Sequence, residues 1–189
     1  MTPTTSADFD RAYRAPFTFW GDPRIPPELT ALSRKNAPAT SLELGCGVGR
    51  FSRHLARLGI RATGVDFSAV AIAKAQRRAK DDPHPPDFRV GDVTRLDDLT
   101  GPYAMAFDVG CFHCLDATGQ RRYAAEVFRL LAPGATHLVW ALDAAPSGSH
   151  LAPAVVAATF APRFTLVEAR PSRRRLARSH WYWLARNAD

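Results

Sequence analysis

The stretch Ser41-Leu-Glu-Leu-Gly45-Cys-Gly47-Val-Gly49-Arg50 decides the fold, because three glycines follow a short apolar run and precede a helical pattern. Thr40–Leu44 is predicted as a strand, and Arg50–Leu58 as a helix with its apolar residues on one face. Glycines between a strand and a helix let the backbone turn tightly and approach a ligand closely. The stretch therefore predicts a strand, a ligand-binding loop and a helix.

The alternation of strands and helices continues on the C-terminal side of this stretch. Strands are predicted at Arg61–Asp66, Phe88–Gly91, Ala104–Gly110 and Ala135–Leu142, and helices at 68–80, 117–131 and 150–160. The last two strands, Arg163–Ala169 and Arg178–Ala185, lie so close in sequence that they must be antiparallel, because a parallel crossover needs about a dozen residues or more. We predict an α/β fold, a Rossmann-like, doubly wound and mostly parallel sheet with helices on both faces and a C-terminal antiparallel hairpin.

Length and composition indicate a single globular domain. The chain has 189 residues, of which 46% are hydrophobic and 23% charged, which is typical of a soluble protein. No apolar stretch reaches the roughly 18 residues that a membrane span needs, and the N-terminus has no signal-peptide core. Three cysteines argue against a disulfide-stapled secreted fold. We expect a cytoplasmic protein in which residues 1–37, rich in Pro and aromatics, form an arm that covers the active site of a domain at 38–189.

Positive charge is concentrated at the C-terminus. The formal net charge is +7, and residues 169–189 contain six Arg and one Asp. Coding composition explains an arginine bias without any partner. An anionic partner is the alternative, because a basic segment attracts it electrostatically.

The glycine spacing and three acidic residues point to the kind of ligand. A dinucleotide fingerprint is G-x-G-x-x-G, but here the glycines follow G-x-G-x-G and Arg50 takes the third position. Glu43 would repel a phosphate and suit a positively charged amino-acid group. Asp66 ends the second strand, where a carboxylate can accept both ribose hydroxyls. Asp92 could accept from an adenine amino group while the Val93 N–H reaches a ring nitrogen. These features favour a nucleoside without phosphates.

Four segments in order resemble the successive motifs of class I S-adenosylmethionine-dependent methyltransferases. They are Leu42-Glu43-Leu44-Gly45-Cys46-Gly47-Val48-Gly49, Gly64-Val65-Asp66-Phe67-Ser68, Gly91-Asp92-Val93 and Leu130-Leu131-Ala132-Pro133-Gly134. The resemblance covers roughly residues 40–142, and the strand with Trp181-Tyr-Trp-Leu184 is similar to the family's last, antiparallel strand. It departs from the family at Ala135, where a second glycine often follows Pro-Gly.

The resemblance implies a seven-stranded sheet and the cofactor S-adenosyl-L-methionine, with S-adenosyl-L-homocysteine as product. It implies Glu43 near the methionine amino group, Asp66 at the ribose, and Asp92 with Val93 at the adenine. Residues expected at the cofactor are Glu43, Gly45, Cys46, Gly47, Gly49, Asp66, Phe67, Asp92, Val93, Gly110, Cys111 and Trp20.

The segment Gly110-Cys111-Phe112-His113 follows the fourth strand and is similar to the thiopurine, tellurite-resistance and halide methyltransferase-like branch. His113 is the candidate catalytic base, since the ordinary pKa of a histidine side chain lies near working pH. The alternative is that His113 orients its loop by hydrogen bonding. Cys111-x-x-Cys114 supplies two ligands where structural zinc needs four, so we expect no metal.

Aromatic and polar residues outside the motifs are candidates for the substrate pocket. Phe17, Phe19 and Trp20 could close over the cofactor and meet its sulfonium by cation–π attraction, or simply cover the sheet edge. The pocket candidates are Phe17, Phe19, Trp140, Asp143 and His150.

The sequence thus predicts an enzyme that methylates an O, N or S nucleophile of a small aromatic or heterocyclic molecule. A nucleic-acid methyltransferase is an alternative that Arg173-Arg174-Arg175 supports, but no Asn/Asp-Pro-Pro-Tyr-type motif follows the fourth strand. A non-catalytic cofactor-binding module and a nicotinamide oxidoreductase are the others. We expect no membrane partner, and the sequence leaves the oligomeric state open.

Overall fold

The structure is a computed structural model that describes residues 5–15, 24–35, 37–144, 147–172 and 178–188. The helices of the described residues are α1 (Ser6–Arg14), α2 (Pro27–Lys35), α3 (Arg50–Arg57), α4 (Ala69–Ala79), α5 (Ala117–Leu130) and α6 (Pro153–Phe160). The strands are β1 (Thr40–Leu44), β2 (Arg61–Asp66), β3 (Asp87–Val90), β4 (Tyr103–Val109), β5 (Leu131–Leu142), β6 (Phe164–Ser172) and β7 (Ser179–Arg186). A short 3-10 turn spans Phe112–Cys114.

The seven strands form a sheet in the order β3-β2-β1-β4-β5-β7-β6. β1 pairs with β2, β2 with β3, and β4 with β5 in parallel. β7 pairs antiparallel with both β5 and β6. The predicted fold class, with its C-terminal antiparallel hairpin, is confirmed.

Contacts divide the chain into two compact units, residues 1–92 and 93–189. In the first unit, Leu42 and Leu44 of β1 are fully buried, as is Leu55 of α3. Asp82, in the loop after α4, accepts hydrogen bonds from the Arg53 and Arg57 guanidinium groups. The bond from Arg53 is the main reason that the Asp82 pKa falls to about 2. This unit contains the glycine loop.

In the second unit, β4, β5, β7 and β6 pack against α5 and α6. Tyr123 and Val127 of α5 are fully buried, as are Phe160 of α6 and Leu138 of β5. Because β4 and β5 run parallel and β7 runs the other way, the ends of β4 and β5 and the start of β7 lie at one edge. Asp143 and the turn Phe112–Cys114 follow the strand ends there.

The start of β5 differs from the sequence prediction. The helix is predicted to run to residue 131 and to be closed by Pro133, but α5 ends at Leu130 and β5 begins at Leu131. Leu131 has φ −90° and ψ 150°, an extended conformation. Ala132, the residue before Pro133, avoids the helical region, and Pro133 has no N–H with which to continue the helix, so the chain is already extended at Leu131. The pairing with β4 is irregular between Tyr103 and Met105.

The N-terminal segment contains α1 and α2, with Pro27 as the first residue of α2, as the Pro-Pro pair predicts. The division of the chain at residue 37 into an arm and a domain stays a prediction. Among the described residues, no helix combines the length and apolar character that crossing a bilayer requires.

Candidate functional site

The glycine loop between β1 and α3 has the backbone conformation that its glycines predict. Gly45, Gly47 and Gly49 have φ of 69°, 52° and 73°, a region that other residues adopt only at a cost. A Cβ on Gly47 would lie 2.7 Å from the Tyr13 hydroxyl oxygen. A Cβ on Gly49 would lie 2.3 Å from Cζ of Phe88. Gly47 therefore leaves room for the Tyr13 hydroxyl against the loop, whereas Gly49 lets the start of α3 pack closely on the core.

Asp66, the last residue of β2, is fixed against this loop. The N–H of Gly47 donates to its Oδ2 at 2.8 Å, and the N–H of Ser68 donates to its Oδ1 at 2.9 Å. The residue is only 5% exposed, and burial raises the pKa of its carboxyl group above the usual value. Each carboxylate oxygen can accept a further hydrogen bond. A buried acceptor with that capacity suits a pair of hydroxyl groups.

Helix α1 lies beside the loop and the start of α4. Asp10 accepts hydrogen bonds from the Ser68 hydroxyl at 2.5 Å and the Val70 N–H at 3.2 Å. Lys74 donates to the carbonyl oxygen of Tyr13. The Tyr13 side chain is buried with its hydroxyl close to Gly47. Polar contacts to α4 thus hold α1 over the glycine loop.

Phe67 follows Asp66 and is an exposed aromatic side chain. It is 38% exposed, and its ring lies 5.0 Å from that of Phe9 in α1. An aromatic face beside a buried carboxylate provides one apolar and one polar contact. That combination suits a purine base attached to a ribose.

Two other candidates of this loop have their side chains engaged within the protein. Oε2 of Glu43 accepts from the Ser52 N–H at 2.9 Å and from the Ser52 hydroxyl at 2.5 Å, which ties β1 to the first turn of α3. Cys46 lies in an apolar cluster with Ile72, Ala75, Ala79 and Phe88. The side chain of Cys46 is therefore part of the core, and a ligand would meet only its backbone. The predicted position of Glu43 at the methionine amino group stays a prediction.

Asp92 and Val93 follow β3. Asp92 is exposed, whereas Val93 is buried. An exposed carboxylate remains accessible to a ligand, and a buried valine supports the backbone of the turn. Their predicted contacts with an adenine stay predictions.

The loop between β1 and α3 fits a nucleoside that carries a positive charge and no phosphate. The N–H of Gly47 meets the buried carboxylate of Asp66 at this loop, and the carboxylate of Glu43 is buried two residues before the first glycine. Carboxylates repel phosphate and attract cations. The donor set therefore fits S-adenosylmethionine.

A buried polar network shapes the loop after β4 in the second unit. Asp108, fully buried, accepts from the N–H groups of Cys111 and Phe112, both at 2.7 Å. The Tyr123 hydroxyl donates to Asp108 at 3.0 Å and lies 3.0 Å from Nε2 of His137. Burial raises the Asp108 pKa to about 6 and lowers the His137 pKa to about 3. The network fixes the turn that carries His113, and sequence reasoning missed it.

The catalytic candidate His113 is buried, and its ring has a defined hydrogen-bonding direction. The Leu142 N–H donates to Nδ1 at 3.3 Å, so the neutral ring carries its proton on Nε2. The Ser147 hydroxyl donates to the His113 carbonyl oxygen at 3.1 Å. Trp140 packs edge-on against the ring, 5.8 Å between centroids. This geometry favours the alternative in which His113 orients its loop, and the role of base stays a prediction.

Three further candidates, Trp140, Gly110 and Asp143, lie near the ends of β4 and β5. Trp140 is 1% exposed, so its ring contacts His113 rather than a cavity. Gly110 has φ 101° and its N–H donates to the Trp140 carbonyl oxygen. Asp143 contacts His180, a residue that sequence reasoning missed. The strand alternation that puts His180 and Tyr182 on one face of β7 is the signal that could have found it.

His150 lines a cavity of about 530 Å³ between α5, α6 and the loop before α6. Its polar lining residues are Gln120, Arg121, Ser149, His150 and Thr159. Apolar atoms come from Ala154, Val155 and Ala158. The volume lies in the range of pockets that hold small ligands.

Cys111 is half-buried and Cys114 is exposed, and neither forms a disulfide within the described residues. Within the described ranges, no group of three or more His, Cys, Asp or Glu side chains is arranged to hold a metal ion. Phe17, Phe19, Trp20 and Arg173-Arg174-Arg175 lie outside the described residues.

Residues 42–134 match a family model described as a methyltransferase domain. An uncharacterised methyltransferase of Schizosaccharomyces pombe is 33% identical over 46% of this chain and 59% of its own length. The 2-heptyl-1-hydroxyquinolin-4(1H)-one methyltransferase of Mycobacteroides abscessus is 27% identical over 71% of this chain and 59% of its own length. The chain thus covers less than two thirds of these relatives.

Solved structures show the same fold. The Burkholderia thailandensis 1,6-didemethyltoxoflavin-N1-methyltransferase, with bound S-adenosylhomocysteine, superposes with a TM-score of 0.80 at 22% identity, covering 97% of this chain and 87% of that one. The order of the sequence motifs, the seven-stranded sheet and the family match over residues 42–134 together agree with the class I S-adenosylmethionine-dependent methyltransferase superfamily.

Proposed function

We propose that the protein transfers the methyl group of S-adenosylmethionine to a nucleophilic O, N or S atom of a small aromatic or heterocyclic molecule. The observation that carries the proposal is the buried Asp66 carboxylate, held by the Gly47 and Ser68 amides at the mouth of the glycine loop. A ligand with a ribose, a purine and a cationic end matches that carboxylate and the exposed ring of Phe67.

The residues of the first unit would bind and orient the cofactor. Asp66 would accept hydrogen bonds from both ribose hydroxyls, and Phe67 would cover one face of the adenine. Tyr13 would cover the loop from the side of α1. When bound, the cofactor supplies a methyl group on a sulfonium, which is reactive without help from protein groups. The protein's part is therefore alignment of the nucleophile and exclusion of water.

The acceptor is proposed to be small and partly apolar. The cavity lined by Gln120, Arg121 and His150 has room for one or two fused rings and offers polar groups at its rim. The names of two similar proteins support this class, because one acts on a hydroxyquinolone and another on a toxoflavin precursor. The atom that receives the methyl group is proposed only as O, N or S.

Methyl transfer from labelled S-adenosylmethionine to a panel of phenols, N-heterocycles and thiols tests the proposal. We expect label in at least one small acceptor and formation of S-adenosylhomocysteine in equal amount. Label in RNA or DNA, with binding that weakens steeply as salt rises, would replace it with the nucleic-acid alternative. Binding of the cofactor with no transfer to any acceptor would leave a binding module.

A further inference from the structure

Asp143 and His180 form a side-chain pair at the edge of the second unit where β5 ends and β7 begins. Asp143 directly follows β5, and His180 is the second residue of β7, 37 positions later. Their side chains meet because the antiparallel register puts Ala141 opposite His180. Nδ1 of His180 lies 2.6 Å from Oδ1 of Asp143.

The pair determines which ring nitrogen of His180 carries the proton. An ionised carboxylate oxygen only accepts hydrogen bonds, so Nδ1 of His180 donates. The neutral ring then has its lone pair on Nε2, and Nε2 has no hydrogen-bonding partner within the described part of the chain. The two side chains are 17% and 20% exposed, so neither is sealed in the core. His180 therefore presents a proton acceptor.

Neighbouring contacts hold this pair in place. The His180 ring stacks on Tyr182 with 5.7 Å between centroids and 29° between planes. The Tyr182 hydroxyl donates to the Leu151 carbonyl oxygen at 2.5 Å, and the Leu151 N–H donates to the Asp143 carbonyl oxygen at 2.9 Å. His150, which lines the 530 Å³ cavity, precedes Leu151. One loop thus carries both Asp143 and part of the cavity lining.

The neutral ring of His113, at the same edge, carries its proton on the other nitrogen. Its Nδ1 accepts from the Leu142 N–H, which leaves the proton of the neutral ring on Nε2. For Nδ1 of His113 to take a proton, its hydrogen bond from the Leu142 N–H would have to be lost. Nε2 of His180, by contrast, can take a proton while Nδ1 keeps its hydrogen bond to Asp143.

We propose that Asp143 and His180 are a catalytic dyad in which Nε2 of His180 removes the proton from the acceptor's nucleophilic atom. The inference rests on the proposed function and names a further catalytic residue for it. As the bond from the acceptor atom to the methyl carbon forms, the methyl–sulfur bond breaks and its electron pair stays on sulfur. The acceptor's proton moves to Nε2 and later leaves to water. Asp143 is a positioning residue, which fixes the tautomer and balances the positive charge.

The dyad also narrows the acceptor class. A base is needed only where the nucleophile carries a proton at working pH, as a phenol or a ring N–H does. A phenolate has already lost its proton and needs no base. The proposal therefore assigns the protein an acceptor with a weakly acidic O–H or N–H group.

His180→Gln, with His84→Gln as the matched control, tests the role of the dyad in turnover. His84 lies exposed in the loop between α4 and β3. The two acceptors are phenol and 4-nitrophenol, at a pH where only the second is ionised. With phenol, we expect His180→Gln to lower kcat by roughly 100- to 10,000-fold, the usual contribution of a general base. With 4-nitrophenol, kcat should stay within a few-fold, and His84→Gln should change neither.

Nitrogen-15 NMR of the histidine rings gives a readout that does not depend on turnover. We expect neutral His180 with its proton on Nδ1 in the wild type. In Asp143→Asn we expect a mixture of tautomers, because an amide can donate as well as accept. A proton on Nε2 in the wild type would overturn the dyad.

The outcomes separate the dyad from the proposed function. Equal losses with both phenols would overturn the dyad in favour of a structural role for His180, and turnover itself would stand. Wild-type protein that binds S-adenosylhomocysteine but methylates no acceptor would overturn the proposed function. In that case the tautomer measured by NMR would still test the hydrogen bond between Asp143 and His180. The base role of His180 would be overturned together with the proposed reaction.

Discussion

The glycine-loop side, residues 40–92, and the side that we propose binds the acceptor, residues 103–182 (the acceptor side), are built in different ways. On the first side, the groups that we propose to face the ligand are backbone positions and one carboxylate that follow strands closely in sequence, and Gly47 and Asp66 meet within a single β-α-β unit. On the second side, side chains that are far apart in the sequence meet because β5 and β7 are paired, as Asp143 and His180 do.

This difference corresponds to two parts of the function: cofactor binding, which members of a family share, and acceptor chemistry, which differs between members. A backbone loop depends on glycine conformation and packing, so its sequence pattern is narrow and recognisable. A pair of side chains at the strand ends depends on register and can change by one substitution. The acceptor chemistry is therefore the part to read from the structure rather than from motifs.

The largest expected effect is loss of stability when the loop glycines are replaced. In Gly49→Ala the new Cβ would lie 2.3 Å from Phe88 and 2.9 Å from the Ala75 Cβ, at φ 73°. Left-handed strain and overpacking together should lower the free energy of unfolding by roughly 2–5 kcal/mol. Urea denaturation measures it.

Gly59→Ala is the control for strain alone. Its φ is 84°, and nothing lies within 4 Å of the added Cβ, so we expect a loss of only about 1–2 kcal/mol. Equal losses for the two variants would contradict close packing as the reason for Gly49.

The next effect concerns the attachment of α1 to the first unit. Ser68→Ala removes the side-chain cap that accepts from the Ala71 N–H at 3.1 Å, and also the bond to Asp10. We expect a loss of about 1–2 kcal/mol in the free energy of unfolding. Thr5→Ala removes only the exposed cap of α1 and should cost less. If Thr5→Ala cost more, α1 would be held by its own cap rather than by α4.

The smallest effect is a pH dependence that belongs to the acceptor side. Burial raises the Asp108 pKa from 3.8 to about 6, so the folded state holds this proton more tightly than the unfolded state. Its stabilising contribution is full below about pH 4 and is lost as pH rises through about 6. From pH 8 to pH 5 the free energy of unfolding should gain about 1 kcal/mol through this group.

Denaturation of the wild type and Asp108→Asn at several pH values measures that contribution. The variant should lose the gain between pH 8 and pH 5. Asp82→Asn is the control, since the Asp82 pKa of about 2 lies below this window, and it should keep the wild-type slope. An unchanged slope in Asp108→Asn would show that another group titrates.

Sequence reasoning predicted the fold well where local patterns determine it. β1 and β2 match their predicted bounds, and the antiparallel hairpin follows from the short connection between β6 and β7. It placed the start of β5 too late, because an apolar run before Pro133 reads equally well as the end of a helix. The methyltransferase domain predicted from the motif order is confirmed over residues 42–134.

The site was only partly accessible to the same reasoning. The conformation of the glycine loop and the position of Asp66 beside it follow from spacing. The burial of the Cys46 side chain does not, because a cysteine in a glycine loop can face either the ligand or the core. The pairing of Asp143 with His180 does not follow from spacing either, because it depends on the register between β5 and β7.

The central claim is that the Asp66 carboxylate, beside the glycine loop, binds the ribose of the cofactor. Calorimetric titration with S-adenosylhomocysteine tests this claim most directly. We predict saturable binding by the wild type, and a Kd raised roughly 10- to 150-fold in Asp66→Asn by loss of charged hydrogen bonds worth about 1.5–3 kcal/mol. Asp97→Asn, at an exposed aspartate paired with Arg95, should bind like the wild type. Failure of the wild type to bind, or equal binding by Asp66→Asn, would contradict the account.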